Sequence, residues 1–182
     1  CGRLGKIENC QSGVYLAYTS TKGYALIDRR LFVPEKWFGQ EYEERRKKCK
    51  MPQDLVFKKK PELANEMIQE VCKRGLFSFR WVTCDTIFGN SPEFLQNLPE
   101  HIFCLAEIAK NRKVWIKPEE SRDRKKRPSV SVSDIARDEK VAWKLTKLAE
   151  GAKGPILGFV SRVRVYVDEP GKAENERWLF LR

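Results

Sequence analysis

A short apolar run that ends in an acid is the feature that most restricts how this chain can fold. Residues 77–85 read FSFRWVTCD, and a near-continuous apolar stretch of this length is typical of a buried central strand. Before it, residues 61–74 carry apolar side chains at helical spacing, with Pro61 in the first turn and Gly75 as the terminator. A helix followed by a buried strand predicts an α/β fold, with Asp85 at the carboxyl end of the strand, where open α/β sheets bind their ligands.

Two strands and a charged connector are predicted ahead of this helix. Residues 4–19 and 24–33 alternate apolar and polar side chains around a Lys-Gly turn, which indicates an antiparallel hairpin ended by Pro34. Within the charged connector that follows, Tyr42 to Lys50 is predicted as a short helix.

After Asp85, the sequence predicts another helix and another strand. Ser91 is the expected cap and Pro92 the first residue of a short helix. Residues 102–109 are predicted as a strand that continues to 114–116.

A change in composition divides the chain. Residues 117–130 are basic, polar and interrupted by prolines, so we predict two regions, 1–116 and 117–182. In the second we expect an amphipathic helix over 133–149 capped by Ser133, and then two strands over 156–167 and 177–182. This region is predicted to be a small β-rich α+β unit.

The charge of the chain favours a polyanionic partner. A net charge of +11 over 182 residues raises the local potential and favours nucleic acid, although a solvated basic surface is the simpler alternative. His101 is the single histidine and the cysteines lack metal-ligand spacing, so imidazole catalysis and a zinc site are disfavoured. No apolar run is long enough to span a bilayer, and we expect a cytoplasmic protein.

Asp85 has two interpretations when it is considered alone. An aspartate between a strand and a Gly-containing loop is often a turn former or helix cap. The functional alternative is metal-assisted phosphoryl transfer by carboxylates, which suits a basic chain with almost no histidine.

Six segments in order resemble insertion-sequence transposases of the DDE superfamily. They read CGRLGKIENCQSGVYLAY, GYALIDRRLFVPEKW, KPELANEMI, FRWVTCDTIFG, LAEIAKNRKVW and AWKLTKLAEGAKGP. The resemblance covers most of the chain outside residues 39–57 and 117–132. It implies a ribonuclease-H-like mixed sheet with flanking helices, truncated at its first strand, in residues 1–116. It also implies that residues 117–182 form an insertion that is incomplete at its carboxyl end.

The resemblance also implies a reaction. In such transposases three carboxylates hold two Mg²⁺ (or Mn²⁺) ions that activate a water or 3′-hydroxyl and stabilise the leaving oxygen. Asp85 matches the second acid, and is the expected catalytic and metal-binding residue. The first acid is expected upstream of Cys1 and the third beyond Arg182, so the fragment alone is expected to be inactive. Glu8 and Glu107 are further acids, for which polar roles in the sheet or near DNA are the expected ones.

DNA, at transposon ends and target, is the implied partner, and the complete enzyme is expected to be a homodimer. The candidate DNA-contacting residues, each of which could also belong to a solvated face, are Lys58, Lys59, Lys60, Arg124, Lys125, Lys126, Arg127, Lys153, Arg162 and Arg164. Trp115 and Trp143 are candidates for stacking on flipped bases, with a place in the core as the alternative.

Two alternatives to the transposase remain open from the sequence. The chain could be a non-catalytic DNA-binding remnant of a mobile element, or a basic globular domain that merely shares the fold. The first predicts salt-dependent DNA binding without cleavage, and the second predicts that Asp85→Ala leaves cleavage unchanged.

Overall fold

A computed structural model describes residues 10–116, 129–167 and 176–182 of this mixed α/β protein. The chain divides into two compact units, Cys1–Ile108 and Ala109–Arg182. Residues 1–9 (which include Glu8), the basic tract with Arg124, Lys125, Lys126 and Arg127, and residues 168–175 lie outside the described residues.

The first unit is built on a hairpin, a long helix and a pair of parallel strands. Its elements are β1 (Ser12–Ser20), β2 (Gly23–Phe32), 3-10 turns at Glu35–Phe38 and Gln40–Tyr42, α1 (Glu43–Lys48), α2 (Lys60–Arg74), β3 (Trp81–Cys84), α3 (Thr86–Gly89), α4 (Pro92–Gln96) and β4 (Phe103–Ala106). β1 pairs antiparallel with β2, and β3 pairs parallel with β4. The predicted hairpin, α1, α2 and α4 are confirmed, with α4 capped by Ser91 as expected.

Helix α2 carries the core of this unit. At its start the Glu62 carboxylate accepts a hydrogen bond from the Lys59 backbone N–H at 2.6 Å, and at its end Gly75 adopts a φ of 62°, which glycine tolerates without strain. Met67 and Ile68 are 1% and 2% exposed. Together with Leu63 and Ala64 of the same helix, they form one apolar cluster with Val14 of β1, Val82 of β3, Phe94 of α4 and Ile102 just before β4.

The strand that ends before Asp85 is shorter and more exposed than its sequence predicts. β3 covers only Trp81–Cys84, and among the described residues it pairs with β4 alone, so it is not a buried central strand in this structure. Trp81 is 59% exposed. The first half of the apolar run is a loop. The ring centroid of Phe77 lies 5.1 Å from that of Tyr18 on β1, and Phe79 packs against the core cluster.

The second unit is organised around one long strand. It contains β5 (Lys113–Trp115), β6 (Ser129–Ser131), α5 (Val132–Arg137), β7 (Lys144–Gly151), β8 (Gly154–Tyr166) and β9 (Glu176–Leu181). β8 pairs antiparallel with β5, β7 and β9. The predicted strands over 156–167 and 177–182 are confirmed, and β7 joins β8 through a tight turn at residues 152–153.

Two predictions about elements near and within this unit are wrong. The strand over 102–109 does not continue to 116, because a turn closed by the Arg112 N–H on the Ala109 carbonyl (2.9 Å) separates β4 from β5. The helix over 133–149 ends at Arg137, and its second half is strand β7. Pairing with β8 outweighs the helical spacing of the apolar residues, as tertiary contacts often do.

The cap of the short helix also differs from the prediction. Ser131, not Ser133, accepts a hydrogen bond from the Asp134 N–H, at 3.1 Å.

No helix in the described ranges is long and apolar enough to cross a membrane.

Candidate active site

Two acids follow the carboxyl ends of the paired parallel strands. Cys84, the last residue of β3, pairs with Ala106, the last residue of β4. The Glu107 N–H then donates to the Cys84 carbonyl at 2.9 Å. Asp85 and Glu107 therefore leave the sheet at the same edge, the edge at which open α/β sheets bind ligands.

Asp85 is held in place by the short helix that it starts. One carboxylate oxygen, Oδ1, accepts a hydrogen bond from the Ile87 N–H at 2.9 Å, and the backbone carbonyl accepts one from Gly89 at 2.9 Å. Asp85 is thus the cap of α3, one of the two interpretations of the sequence. A cap uses one oxygen of the half-buried carboxylate, which leaves Oδ2 for a ligand, so the two interpretations are compatible.

Gly89 sets the separation between α3 and the end of β4. A Cβ at this position would lie 2.0 Å from the Glu107 carbonyl oxygen and 3.0 Å from the Ala106 Cβ. Any side chain would therefore push the helix away from the strand end. Only glycine allows the backbone that follows Asp85 to pack directly on the backbone that carries Glu107.

The thiol that precedes Asp85, that of Cys84, shares a hydrogen bond with the thiol of Cys104 on β4. A hydrogen bond with Cys104, burial, and the negative charges of Asp85 and Glu107 together raise the pKa of the Cys84 thiol. As the partner in that bond, Cys104 has a lowered pKa. The raised pKa keeps the proton on the Cys84 thiol at neutral pH, so the oxygen atoms of the acids that follow the strand ends are the candidate ligands beside it.

Oxygen ligands of this kind suit Mg²⁺ and Mn²⁺. The part of the chain that the structure describes contains no group of three or more His, Cys, Asp or Glu residues placed to hold a metal. Asp85 fits the part of one ligand, and a complete divalent-ion site needs further ligands.

The candidate DNA-contacting residues at the start of α2 have local partners. Lys58 forms an ion pair with Glu66 at 2.6 Å, and the Lys60 ammonium lies 5.0 Å from the Phe32 ring centroid. The Lys58 ion pair is on the surface, where such pairs contribute little, so Lys58 remains able to exchange its partner for phosphate. Lys60 and Phe32 are both half-buried.

The candidates in the second unit fall into two places. Arg162 and Arg164 alternate on β8 and both lie over the Trp178 ring. Lys153 lies in the β7–β8 turn, roughly 30 Å from Arg162 at about 3.3 Å per residue along the strand. The structure brings the two arginines together but leaves Lys153 apart from them.

Comparison with known families fits this arrangement. Residues 1–155 match the DDE superfamily endonuclease family, and because the match spans most of the chain, the protein belongs to that family of transposase-like nucleases. No curated protein and no solved structure matches the chain.

Two residues of interest are not evident from the sequence prediction. Gly89 was predicted only as part of a loop, and its contact with Glu107 depends on two segments far apart in the chain. Trp178 was predicted as part of an apolar strand, although its alternation with Leu179 was the available sign that it points away from the buried face.

Proposed function

We propose that this chain is part of the catalytic region of a DNA transposase that cleaves and joins strands to move an insertion sequence. Asp85 carries the proposal, because it ends a parallel strand within the matched region and keeps one carboxylate oxygen for a metal. The substrate is DNA at the transposon ends and target. Placement in the prokaryotic cytoplasm and assembly as a homodimer are parts of the same proposal.

The proposal includes a ribonuclease-H-like sheet. Among the described residues β1 pairs only with β2 and β3 only with β4, yet Val14 of β1 and Val82 of β3 lie in one core with α2. A further strand between β1 and β3, carrying the first acid, would join the two pairs into one mixed sheet. Residues 1–116 would then form the core and residues 117–182 an insertion.

Asp85 would hold a divalent ion together with acids supplied from outside the described residues. When bound, such ions activate the attacking oxygen and stabilise the leaving oxygen. The contribution of this chain is positional: Gly89 and the α3 cap fix the direction of the Asp85 carboxylate. Glu107 lies beside it and keeps its predicted role as a polar neighbour of the site.

The basic residues would supply affinity that does not depend on DNA sequence. Lys58, Lys59 and Lys60 at the start of α2, and Arg162 and Arg164 on β8, are proposed to contact phosphates. Their contribution would fall as the salt concentration rises.

Asp85→Asn in the full-length protein tests the proposal. The asparagine amide oxygen can still accept from Ile87, so the cap survives while the charge that binds the metal is lost. A bound metal contributes several kcal/mol to such reactions, and each 1.4 kcal/mol is about tenfold in rate. Cleavage of DNA in Mg²⁺ should therefore fall by at least about a hundredfold, with DNA binding unchanged.

Glu93→Gln is the matched control, because Glu93 is an exposed acid in the first turn of α4. This variant should cleave normally. Normal cleavage by Asp85→Asn would remove Asp85 from the mechanism. DNA binding without Mg²⁺-dependent cleavage in the full-length wild-type protein would instead support a non-catalytic remnant.

A further inference from the structure

One face of the β8–β9 pair exposes aromatic and basic side chains together. Across the two strands Arg162 pairs with Phe180, and Arg164 pairs with Trp178. Directly opposed residues of an antiparallel pair point to the same side. All four are exposed, whereas the alternate residues Val165, Leu179 and Leu181 are buried on the other side.

The rings on this face are accessible despite their contacts. The guanidinium carbons of Arg162 and Arg164 lie 4.8 and 4.0 Å from the Trp178 ring centroid, yet Trp178 is still 43% exposed and Phe180 is 56% exposed. Burial of apolar surface is favourable by about 25 cal/mol per Å², and these two rings, which are open to water, do not contribute that free energy. A partner that covers them would recover it.

The charges of the face define that partner. Lys144 joins the same side, because it pairs with Val160 on β8. The described residues of β7, β8 and β9 thus place three cations there, Lys144, Arg162 and Arg164, against the acid Glu176, which forms a 2.9 Å ion pair with Arg164. A polyanion complements this surplus of positive charge, whereas two copies of the same face would repel each other.

The stacked arginines can still bind phosphate. A guanidinium contacts a ring through its flat face, and its N–H donors point outward in the plane. Stacking over Trp178 therefore holds the group in position without using its donors. Arg164 gives one N–H to Glu176, and the exposed Arg162 can direct its own toward a phosphate.

We propose that this face binds single-stranded DNA, with unpaired bases stacked on Trp178 and Phe180 and the backbone held by Arg162 and Lys144. The inference rests on the proposed function, in which this chain belongs to an enzyme that cleaves and joins DNA strands. Bases in a duplex cover one another, so their flat surfaces cannot reach a ring on a sheet. Unpaired bases can, and aromatic rings beside cations are the usual means of binding them.

The test compares Trp178→Ala with wild type in the full-length protein, with EDTA present. Fluorescence anisotropy measures the binding of a labelled oligonucleotide of about 20 nucleotides, either single-stranded or annealed to its complement. Trp178→Ala should weaken single-strand binding by roughly five- to a hundredfold, as loss of base stacking does. Duplex binding should change less than about twofold, and Trp178→Phe should restore most of the affinity.

Tyr24→Ala is the control, because Tyr24 is also an exposed aromatic residue, at 87%, but lies on β2 of the first unit. It should bind both oligonucleotides as wild type does. The proposal is overturned if Trp178→Ala binds single-stranded DNA with normal affinity, or if its affinities for single-stranded and duplex DNA fall equally. It is also overturned if the variant loses self-association and keeps its affinity for DNA. Because this assay needs no metal and no cleavage, its result is separate from that of Asp85→Asn.

Discussion

The two units present their functional side chains in different ways. In Cys1–Ile108 the acid Asp85 lies at a strand end, and its direction depends on a capped helix and on the contact between Gly89 and Glu107. In Ala109–Arg182 the arginines and Trp178 lie on a sheet face, and their direction depends on strand alternation and register. The direction of Asp85 therefore depends on the packing of segments that are far apart in the sequence. The direction of the arginines and Trp178 depends only on the pairing of β8 with β9.

The difference predicts unequal sensitivity to mutation. Changes to the core of the first unit should disturb the edge with Asp85, while the β8–β9 face stays intact. Three sets of variants test this, from the largest expected effect to the smallest.

Met67→Ala should have the largest effect. Met67 is 1% exposed at the centre of the first core, and removal of such a side chain costs about 2–5 kcal/mol of the free energy of unfolding. Hydrogen exchange should become faster in β3 and β4 and stay unchanged in β8 and β9. The control is Met51→Ala, at a partly buried position in the loop after α1. This variant should lose less of the free energy of unfolding. If hydrogen exchange became faster by the same factor in both units, the expectation that the two units respond separately to mutation would be contradicted.

Gly89→Ala should have an intermediate effect on stability and a larger one on activity. The new Cβ would meet the Glu107 carbonyl, and such overpacking costs about 1–3 kcal/mol. The rate of DNA cleavage should fall by a larger factor than the loss of unfolding free energy, measured in urea, accounts for. The reason is that the displaced backbone carries Asp85.

Gly39→Ala is the control for that variant. A Cβ there would lie 3.4 Å from the Lys36 carbonyl, an ordinary contact, and the φ of −74° suits alanine. Cleavage at the wild-type rate in Gly89→Ala would show that the close approach does not position Asp85.

The helix caps should show the smallest effect, and a similar one in both units. Ser91→Ala and Ser131→Ala each remove a hydroxyl that accepts from a helix N–H, at 3.2 and 3.1 Å, at a cost of about 1 kcal/mol. Ser131→Ala should also raise the pKa of Asp134, which the hydrogen bond from Ser131 now lowers. Urea unfolding and an NMR titration measure the two effects, and an unchanged Asp134 pKa would rule out that bond.

The elements predicted from sequence are those that local interactions determine. Helix α2 has its own start, stop and apolar stripe, and the β1–β2 hairpin has its Lys-Gly turn, so both are confirmed. The helix expected over 133–149 is wrong because pairing with β8, which follows β7 after a two-residue turn, decides the state of residues 144–151. The apolar residues there have helical spacing, so the local pattern alone favoured the other structure. Locating Asp85 at a strand end needed only the order of elements, whereas its neighbour Glu107 and the role of Gly89 required the folded chain.

The protonated thiol of Cys84 gives the site a chemical reporter of its own. Thiolates, not thiols, react with alkylating reagents, and the raised pKa of Cys84 slows that reaction relative to the exposed Cys10 and Cys49. Because the hydrogen bond with Cys104 on β4 is the largest cause of that raised pKa, we expect the labelling rate of Cys84 to rise when the ends of β3 and β4 separate. A residue without a part in the reaction thus records whether the acidic edge is assembled.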